Sequence, residues 1–227
     1  MEKLKTLISG FKVTDYAQRT QLREGKEEPD AFKAIAECML TGHFHVRSGC
    51  TDVCVRPIAV EFYYHEEEGD IHDWIVYHRD TDSSKKPLIP KGILHNHVSG
   101  IDLTFEHENN GKVRASALIR EFRIINCSNG QKEAMDAFNV KVDENDKRST
   151  YTYAALFSQF SPLDGFSVIW EDSKYDLKED NIDWTQRDNV HLYEETPRKG
   201  NKPKLEKLSA LDRKPWKARN TEFDTKK

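Results

Sequence analysis

The sequence contains few cysteines and no long apolar segment. Four cysteines in 227 residues are too few for a disulfide scaffold. Every uncharged apolar run is only a few residues long, which argues against a membrane-spanning helix, and residues 1–5 lack the apolar stretch of a secretion signal. We therefore expect a cytoplasmic protein with reduced thiols and no membrane partner.

The signatures of several enzyme classes are also missing. The chain has no glycine-rich phosphate loop and no Ser-His-Asp order, which argues against P-loop nucleotide hydrolysis and triad-type acyl transfer. Cys50 and Cys54 are separated by three residues, so the Cys-x-x-Cys spacing of dithiol oxidoreductases is absent. Candidate chemistry has to be sought among the carboxylates, histidines and aromatic residues.

Aromatic residues are frequent in an otherwise polar sequence. Charged residues make up 33% of the chain and the mean hydropathy is −0.80, yet 11 Phe, 8 Tyr and 4 Trp can form a core. The length corresponds to one or two domains, and a single domain is the default expectation.

The charge is distributed unevenly along the chain. The net charge is −4, but residues 198–227 contain 11 basic and 4 acidic side chains, a net charge of +7 that leaves −11 on the remainder. A basic tail on an acidic body can hold phosphates or other anionic partners. The alternative is a solvated, disordered tail.

Apolar spacing and turn residues predict the secondary structure. Helical spacing predicts a helix over 31–40 with Asp30 as its N-cap, and further helices over 131–139 and 151–160. Strands are predicted over 44–46, 55–64, 92–97, 101–106 and 116–125. Asn109-Asn110-Gly111 is a hairpin turn signal. These elements predict an α+β fold with a mainly antiparallel sheet and flanking helices.

The same patterns suggest a division of the chain. Residues 1–30 are predicted as a polar N-terminal extension and residues 31–196 as the main domain. Residues 197–227 are predicted as a basic C-terminal segment that is partly packed on that domain.

Glu61, Tyr63 and His72 form a candidate constellation at the end of an apolar strand. A carboxylate there can activate water if apolar neighbours raise its pKa. The ring two residues later lies on the same face of the strand, and a histidine returned by the acidic turn could oppose it, forming a slot for a planar ligand. The alternative is a surface carboxylate, a core ring and a loop histidine.

Several short segments in chain order form a series around this constellation. They are 34–42, 45–47, 58–63 with His72, 92–94 leading to Gly100, 118–120, 198–200 and 214–216. In this order, and with this interval between Glu61 and His72, the chain resembles the methylpurine (3-methyladenine or alkyladenine) DNA glycosylase family. The resemblance touches most of residues 31–216 and implies a single α+β domain.

The resemblance implies a reaction and a role for each matching residue. Such enzymes flip a damaged purine out of duplex DNA and hydrolyse its N-glycosidic bond. Glu61 would be the general base for the attacking water, and Arg120 would position that water or a nearby phosphate. Tyr63 and His72 would contact the flipped base, and His97 would stand near a base-stacking position.

The resemblance also implies a partner and a mode of action. Arg198, Lys199 and Lys214 would contact the DNA backbone. The protein would act as a monomer on duplex DNA that contains an alkylated or deaminated purine. It would be a monofunctional hydrolase, with no metal and no cofactor.

Two positions depart from the family pattern. Ser99 stands where the family has an aromatic wedge, and a hydroxymethyl group cannot replace the stacking of an inserted ring. Glu106 replaces an asparagine and puts an acidic group where phosphates would approach. An altered-substrate or non-catalytic relative that binds a nucleobase or other planar small molecule is therefore the first alternative.

A metal-dependent, cupin-like protein is the second alternative. His95 and His97 are alternate residues of a predicted strand, so both would face the same side and could share an ion with Glu106 and His107. The simpler expectation is that these histidines are exposed to solvent at a loop tip.

Overall fold

The computed structural model describes residues 3–49, 51–73, 75–80, 84–97, 100–128, 156–157, 163–174, 181–187 and 214–223. Three helices come first: α1 (Lys3–Gly10), α2 (Tyr16–Glu24) and α3 (Asp30–Thr41). The strands are β1 (His43–Ser48), β2 (Thr51–Glu66), β3 (Leu94–His97), β4 (Gly100–Thr104), β5 (His107–Glu108), β6 (Lys112–Ser128), β7 (Phe166–Glu171), β8 (Ile182–Thr185) and β9 (Lys217–Asn220). None of the described helices is long and apolar enough to cross a membrane.

The nine described strands belong to one antiparallel sheet. Its main order is β3-β4-β6-β2-β1-β7, while β5 pairs with β6, and β9 pairs with both β2 and β8. The long strands β2 and β6 pair from Asp52 opposite Ser128 to Glu66 opposite Val113. This arrangement of one antiparallel sheet with flanking helices confirms the predicted α+β fold class.

Residues 1–30 are predicted as a polar extension, yet their described part forms two packed helices. The side chain of Asp15 accepts two backbone N–H bonds at the start of α2, and Gly25 ends that helix in the left-handed conformation, with φ of 61°. Leu4, Ile8 and Leu22 are buried in the main core. These helices therefore contribute to the same core as the sheet.

Helix α3 follows its prediction apart from its first residue. It begins at Asp30 itself, and Pro29 occupies the N-cap position without a side-chain hydrogen bond, so the expected Asp30 cap does not form. The predicted helices over 131–139 and 151–160 lie outside the described residues, except for Leu156 and Phe157, which are helical.

The predicted hairpin turn forms between β5 and β6. The Asn109 N–H donates to the Gly111 carbonyl over 2.8 Å. Asn110 and Gly111 have φ of 53° and 119°, in the left-handed region that asparagine and glycine adopt at low cost. The turn therefore forms at the residues where the sequence predicts it.

Both faces of β2 are buried, but against different partners. Phe62 and Tyr64 join the main core with α3, where the ring of Phe32 stacks on Phe62 at 4.6 Å between centroids. Side chains of Glu61 and Tyr63 point to the opposite face because successive residues of a strand alternate. That second face is covered by residues 71–73 and 75–80, which we call the covering segment.

Candidate active site

A row of side chains crosses the covered face of the sheet. Glu61 of β2 is opposite Leu118 of β6, and Leu118 is opposite Asp102 of β4. His95 of β3 is opposite Asp102, and Lys217 of β9 is opposite Glu61. Directly opposed residues project to the same side of a sheet, so these five positions share one face.

Glu61 is held by two donors at a single carboxylate oxygen. The Tyr63 hydroxyl donates to Glu61 Oε2 over 2.7 Å, and Arg120 Nη2 donates to the same atom over 2.6 Å. Glu61 is fully buried, and Tyr63 and Arg120 are 4% and 8% exposed. The structure therefore brings together three of the predicted site residues.

A break in the strand register explains how Arg120 reaches Glu61. Ala59 is opposite Glu121 and Val60 is opposite Ile119, so Arg120 is the extra residue of a bulge in β6. An extra residue of this kind bends the strand locally and redirects its side chain. The irregularity places the guanidinium beside the carboxylate, although the two residues are not paired across the strands.

Burial controls the protonation of Tyr63. The pKa of its hydroxyl is raised well above the usual value, first by burial and then by the nearby charge of Glu61. The hydroxyl therefore keeps its proton at neutral pH and remains a donor. Chemically, Arg120 and Tyr63 fix one oxygen of a carboxylate, a suitable arrangement for orienting a general base.

Arg187 fastens the covering segment over this cluster. It binds Asp73 over 2.6 Å and 3.3 Å, and both side chains are nearly completely buried. Burial alone would raise the pKa of Asp73, but Arg187 and Lys214 together hold it below the usual range. The Arg187 guanidinium also lies 5.1 Å from the centre of the Tyr63 ring.

The rings of Tyr63 and His72 were expected to form two walls of a slot. The His72 ring lies 5.4 Å from that of His65, the next residue along the same face of β2. Tyr63 belongs to a small buried cluster with Leu118 and with Ile75 and Val76 of the covering segment. Its ring is thus occupied by protein contacts, and the slot is closed in this conformation.

His97 lies in a second polar cluster on the same face. Its Nε2 is 3.0 Å from Asp102 Oδ2, and His78 Nε2 is 3.3 Å from the same oxygen. The His78 and His95 rings contact edge to face at 4.2 Å, and the His97 ring stacks on Tyr77 at 5.2 Å. The expectation that His95 and His97 are exposed at a loop tip is therefore wrong, since the covering segment packs on them.

The metal alternative finds no ready-made site in the described part of the chain. No group of three or more histidine, cysteine, aspartate or glutamate side chains there has an arrangement that could hold a metal ion. Glu106, one of the predicted ligands, accepts instead from Arg114 Nη1 over 2.9 Å and is 4% exposed. It is an internal ion-pair partner, which also removes it from the surface that phosphates would approach.

Of the predicted DNA-backbone residues, only Lys214 is described. It is 1% exposed, and its Nζ donates to the Leu22 carbonyl over 3.0 Å. Burial lowers its pKa to about 8. An ammonium enclosed in this way is not presented to a phosphate, so the structure corrects this assignment. Arg198, Lys199 and the wedge position Ser99 lie outside the described residues.

A surface cleft of about 370 Å³ lies between the start of α2, the acidic turn after β2 and the β5–β6 hairpin. Its lining includes Arg19, Glu66, Asn109 and Lys112, and none of the predicted site residues. Arg19 and Glu66 are already paired with each other, at 2.5 Å. The cleft therefore gives no support to the predicted base-binding slot.

Sequence reasoning missed Asp73, His78, Asp102 and Arg187. Asp73 and His78 lie within the covering segment, and Asp102 follows the predicted hairpin glycine, Gly100, by two residues. These side chains meet only through the strand register and through contacts between residues that are more than 20 positions apart in the sequence. Only the concentration of histidines and acids over 65–107 offered a signal.

The chain was also compared with known proteins. No family model, no curated protein and no solved structure matches it.

Proposed function

We propose that the protein is a hydrolase that cleaves the N-glycosidic bond of a flipped, alkylated or deaminated purine in DNA. The observation that supports this proposal is the buried convergence of Glu61, Tyr63 and Arg120. Each of these residues lies in a segment whose sequence resembles a motif of the methylpurine DNA glycosylases. The hydrogen bonds from Tyr63 and Arg120 also fix the orientation of the Glu61 carboxylate, as a proton acceptor requires.

The proposed reaction forms one bond at C1′ of the deoxyribose and breaks another. Glu61 accepts a proton from water as the water oxygen bonds to C1′ of the deoxyribose. The bond from C1′ to the purine nitrogen breaks, and its electron pair leaves with the base. Arg120 and Tyr63 hold the carboxylate in the orientation for this transfer, which is the part of catalysis that positioning supplies.

Substrate entry requires the covering segment to move. Glu61 is fully buried and Ile75 and Val76 pack with Tyr63, so a base reaches the carboxylate only when this segment is displaced. When the segment moves, either the ion pair between Asp73 and Arg187 breaks or Arg187 moves together with Asp73.

Glu61→Gln tests the proposal, with Glu106→Gln as the matched control. Both residues are buried carboxylates paired with one arginine, Arg120 in the first case and Arg114 in the second. The assay is release of hypoxanthine, ethenoadenine or 3-methyladenine from duplex oligonucleotides, read as abasic sites. Glu61→Gln should slow release by at least ~10²-fold, because glutamine keeps the shape but cannot accept the proton.

The control separates catalysis from folding. Glu106→Gln should release bases within a few-fold of the parent rate, after both variants are shown to fold by circular dichroism. Parental rates in Glu61→Gln would remove Glu61 from the reaction. A similar loss in both variants would assign the effect to the buried ion pairs and not to a general base.

A nucleobase-binding protein that does not act on DNA is the second candidate. It is favoured by the burial of Lys214, which removes a predicted phosphate contact, and by the acidic charge of the chain outside its tail. Equilibrium binding of free hypoxanthine and adenosine, compared with a duplex containing hypoxanthine, distinguishes the two. Tighter binding of the free base, without base release from DNA, would favour the second candidate.

A further inference from the structure

The covering segment is anchored at two points to side chains at the end of β2. The backbone N–H of Asp73 donates to His65 Nδ1 over 3.0 Å. At the far end of the segment, the backbone N–H of Asp80 donates to Glu67 Oε1 over 2.6 Å. His65 Nε2 and Glu67 Oε2 are 3.3 Å apart, so the two anchoring side chains also contact each other. One histidine–glutamate pair therefore holds both parts of the segment.

The hydrogen bond from Asp73 fixes where His65 carries its proton. A backbone N–H only donates, so His65 Nδ1 acts as the acceptor and holds no proton. The other ring nitrogen, Nε2, carries the proton of the neutral ring and faces Glu67. A second proton has to bind at Nδ1, where it would point at the N–H of Asp73. The closed position of the segment is therefore incompatible with the imidazolium form of this ring.

The charged and titratable groups around His65 come from three elements. They are Glu67 just after β2, Arg114 opposite His65 on β6, and His72, Asp73 and Arg79 of the covering segment. Burial lowers the pKa of His65, because a charged ring loses its hydration there, and the two carboxylates do not outweigh this effect. Each of these carboxylates is already paired with an arginine, Arg114 for Glu67 and Arg187 for Asp73.

We propose that His65 is a pH-sensitive anchor of the covering segment. The neutral ring accepts from Asp73 and keeps the segment closed over Tyr63 and Glu61, and protonation of Nδ1 breaks this anchor and favours the open segment. The inference concerns an equilibrium of the protein itself and does not require the proposed reaction on DNA. It assigns to mildly acidic pH the opening through which any ligand reaches the buried carboxylate.

The pH range follows from proton uptake by the closed and open forms. An imidazole released to solvent has a pKa of about 6.5, whereas the closed segment holds the pKa of His65 lower. The open form therefore binds more protons below that pH, and opening increases as pH falls, by up to ~10-fold for each pH unit. Asp73 and Asp102 do not titrate in this range, because their pKa values are held below those of ordinary carboxylates.

Other contacts of the segment set how rarely it opens. The ion pair between Asp73 and Arg187 opposes opening at every pH in this range. His95, whose ring contacts the covering segment, has a pKa lowered by burial and changes opening in the same direction as His65. The test therefore compares the pH response with and without His65, so that the contributions of all other groups cancel.

Hydrogen exchange of the Asp73 N–H measures the opening, because this N–H exchanges when its bond to His65 is broken. Protection factors, corrected for the pH dependence of intrinsic exchange, are measured at about pH 7.5 and pH 5.5, on either side of the histidine pKa. The variant is His65→Asn, whose side-chain carbonyl accepts a hydrogen bond without titrating. The matched control is His107→Asn. Burial lowers the pKa of His107 as well, but its ring contacts Phe11 and not the covering segment.

The parent should lose protection at Asp73 on acidification by a larger factor than His65→Asn does. The ratio of the two factors should reach up to ~10, which is the limit for one proton over this range. His107→Asn should keep the parental response. The N–H of Phe62, which donates to the Trp216 carbonyl, reports unfolding of the sheet and should stay protected at both pH values.

A ratio below ~2 would overturn the inference, since one proton on His65 would then not control the opening. Equal loss of protection at Phe62 and Asp73 would also overturn it, because the acid would then unfold the whole sheet. If His65→Asn does not fold, NMR of the ring nitrogens in the parent decides the matter. A neutral ring with its proton on Nε2 supports the anchor, and a proton on Nδ1 contradicts it. Acid-dependent opening without base release from DNA would retain this inference and overturn the proposed function alone.

Discussion

Replacing Arg120 with methionine tests the pairing on which the candidate active site depends. The side chains of Glu61 and Arg120 are 0% and 9% exposed, with 2.6 Å between Oε2 and Nη2. Methionine fills a similar volume without a charge. The variant therefore removes the positive charge beside the buried Glu61 carboxylate and leaves the hydrogen bond from the Tyr63 hydroxyl in place.

The magnitude follows from this burial. Removing one partner of a buried ion pair costs about 3–5 kcal/mol, because the other charge stays desolvated without compensation. Glu61→Gln alone should cost about 1–3 kcal/mol, since its amide oxygen still accepts from Arg120 and Tyr63. The double variant should lose about 1–3 kcal/mol less than the sum of the two single losses.

Urea unfolding at pH 7, followed by circular dichroism, measures each free energy. Arg23→Met is the matched control, because Arg23 pairs with Asp70 at the surface, where the side chains are 43% and 55% exposed. An exposed pair contributes about 0–1 kcal/mol. Additive losses for Arg120 and Glu61, or an Arg120→Met loss no larger than that of Arg23→Met, would refute the buried pairing.

Two further predictions concern stability away from the site. Phe32→Ala should lower the free energy of unfolding by about 3–5 kcal/mol, because Phe32 is fully buried between Phe62 and Trp216. Urea unfolding measures this loss, and a value below about 1 kcal/mol would place the ring outside the core. Lys214 has a pKa of about 8 in the fold and about 10.4 when unfolded, so only the unfolded chain stays fully protonated as pH rises from 8. The stability of the parent should then increase from pH 8 toward 10, by about 1–3 kcal/mol, and Lys214→Met should abolish that increase.

The fold class was predictable because its signals are local. The period of apolar residues over β2 and β6, and the Asn109-Asn110-Gly111 turn, each specify structure through neighbouring residues. The N-terminal helices were not predicted, because their signal is not local. Their apolar residues Leu4, Ile8 and Leu22 are sparse in a polar sequence, and only packing against α3 and the sheet makes them core.

The candidate site was predictable only in part. The two-residue interval between Glu61 and Tyr63 puts both side chains on one face of a strand, which the sequence states directly. The contact of Arg120 with Glu61 needs the register irregularity opposite Ala59 and Val60, which no spacing rule supplies. Lys214 was assigned by charge alone, and charge does not tell whether a lysine lies at the surface or under Gly25, where its side chain packs.

The covering segment has a thermodynamic consequence for the apparent affinity of every substrate. If the closed state predominates, the apparent affinity of any ligand is reduced by the fraction of molecules that are open. A ligand shifts that fraction only through contacts that exist in the open state alone. A flipped nucleotide would add contacts of its sugar, phosphates and flanking duplex to those of a free base. Asp73→Asn removes the charge that pairs with Arg187 and should raise the open fraction, so the apparent affinities for a free base and for a DNA-bound base should rise by the same factor. Equilibrium binding of both ligands to the parent and the variant measures this, and an increase for only one of them would refute a shared opening step.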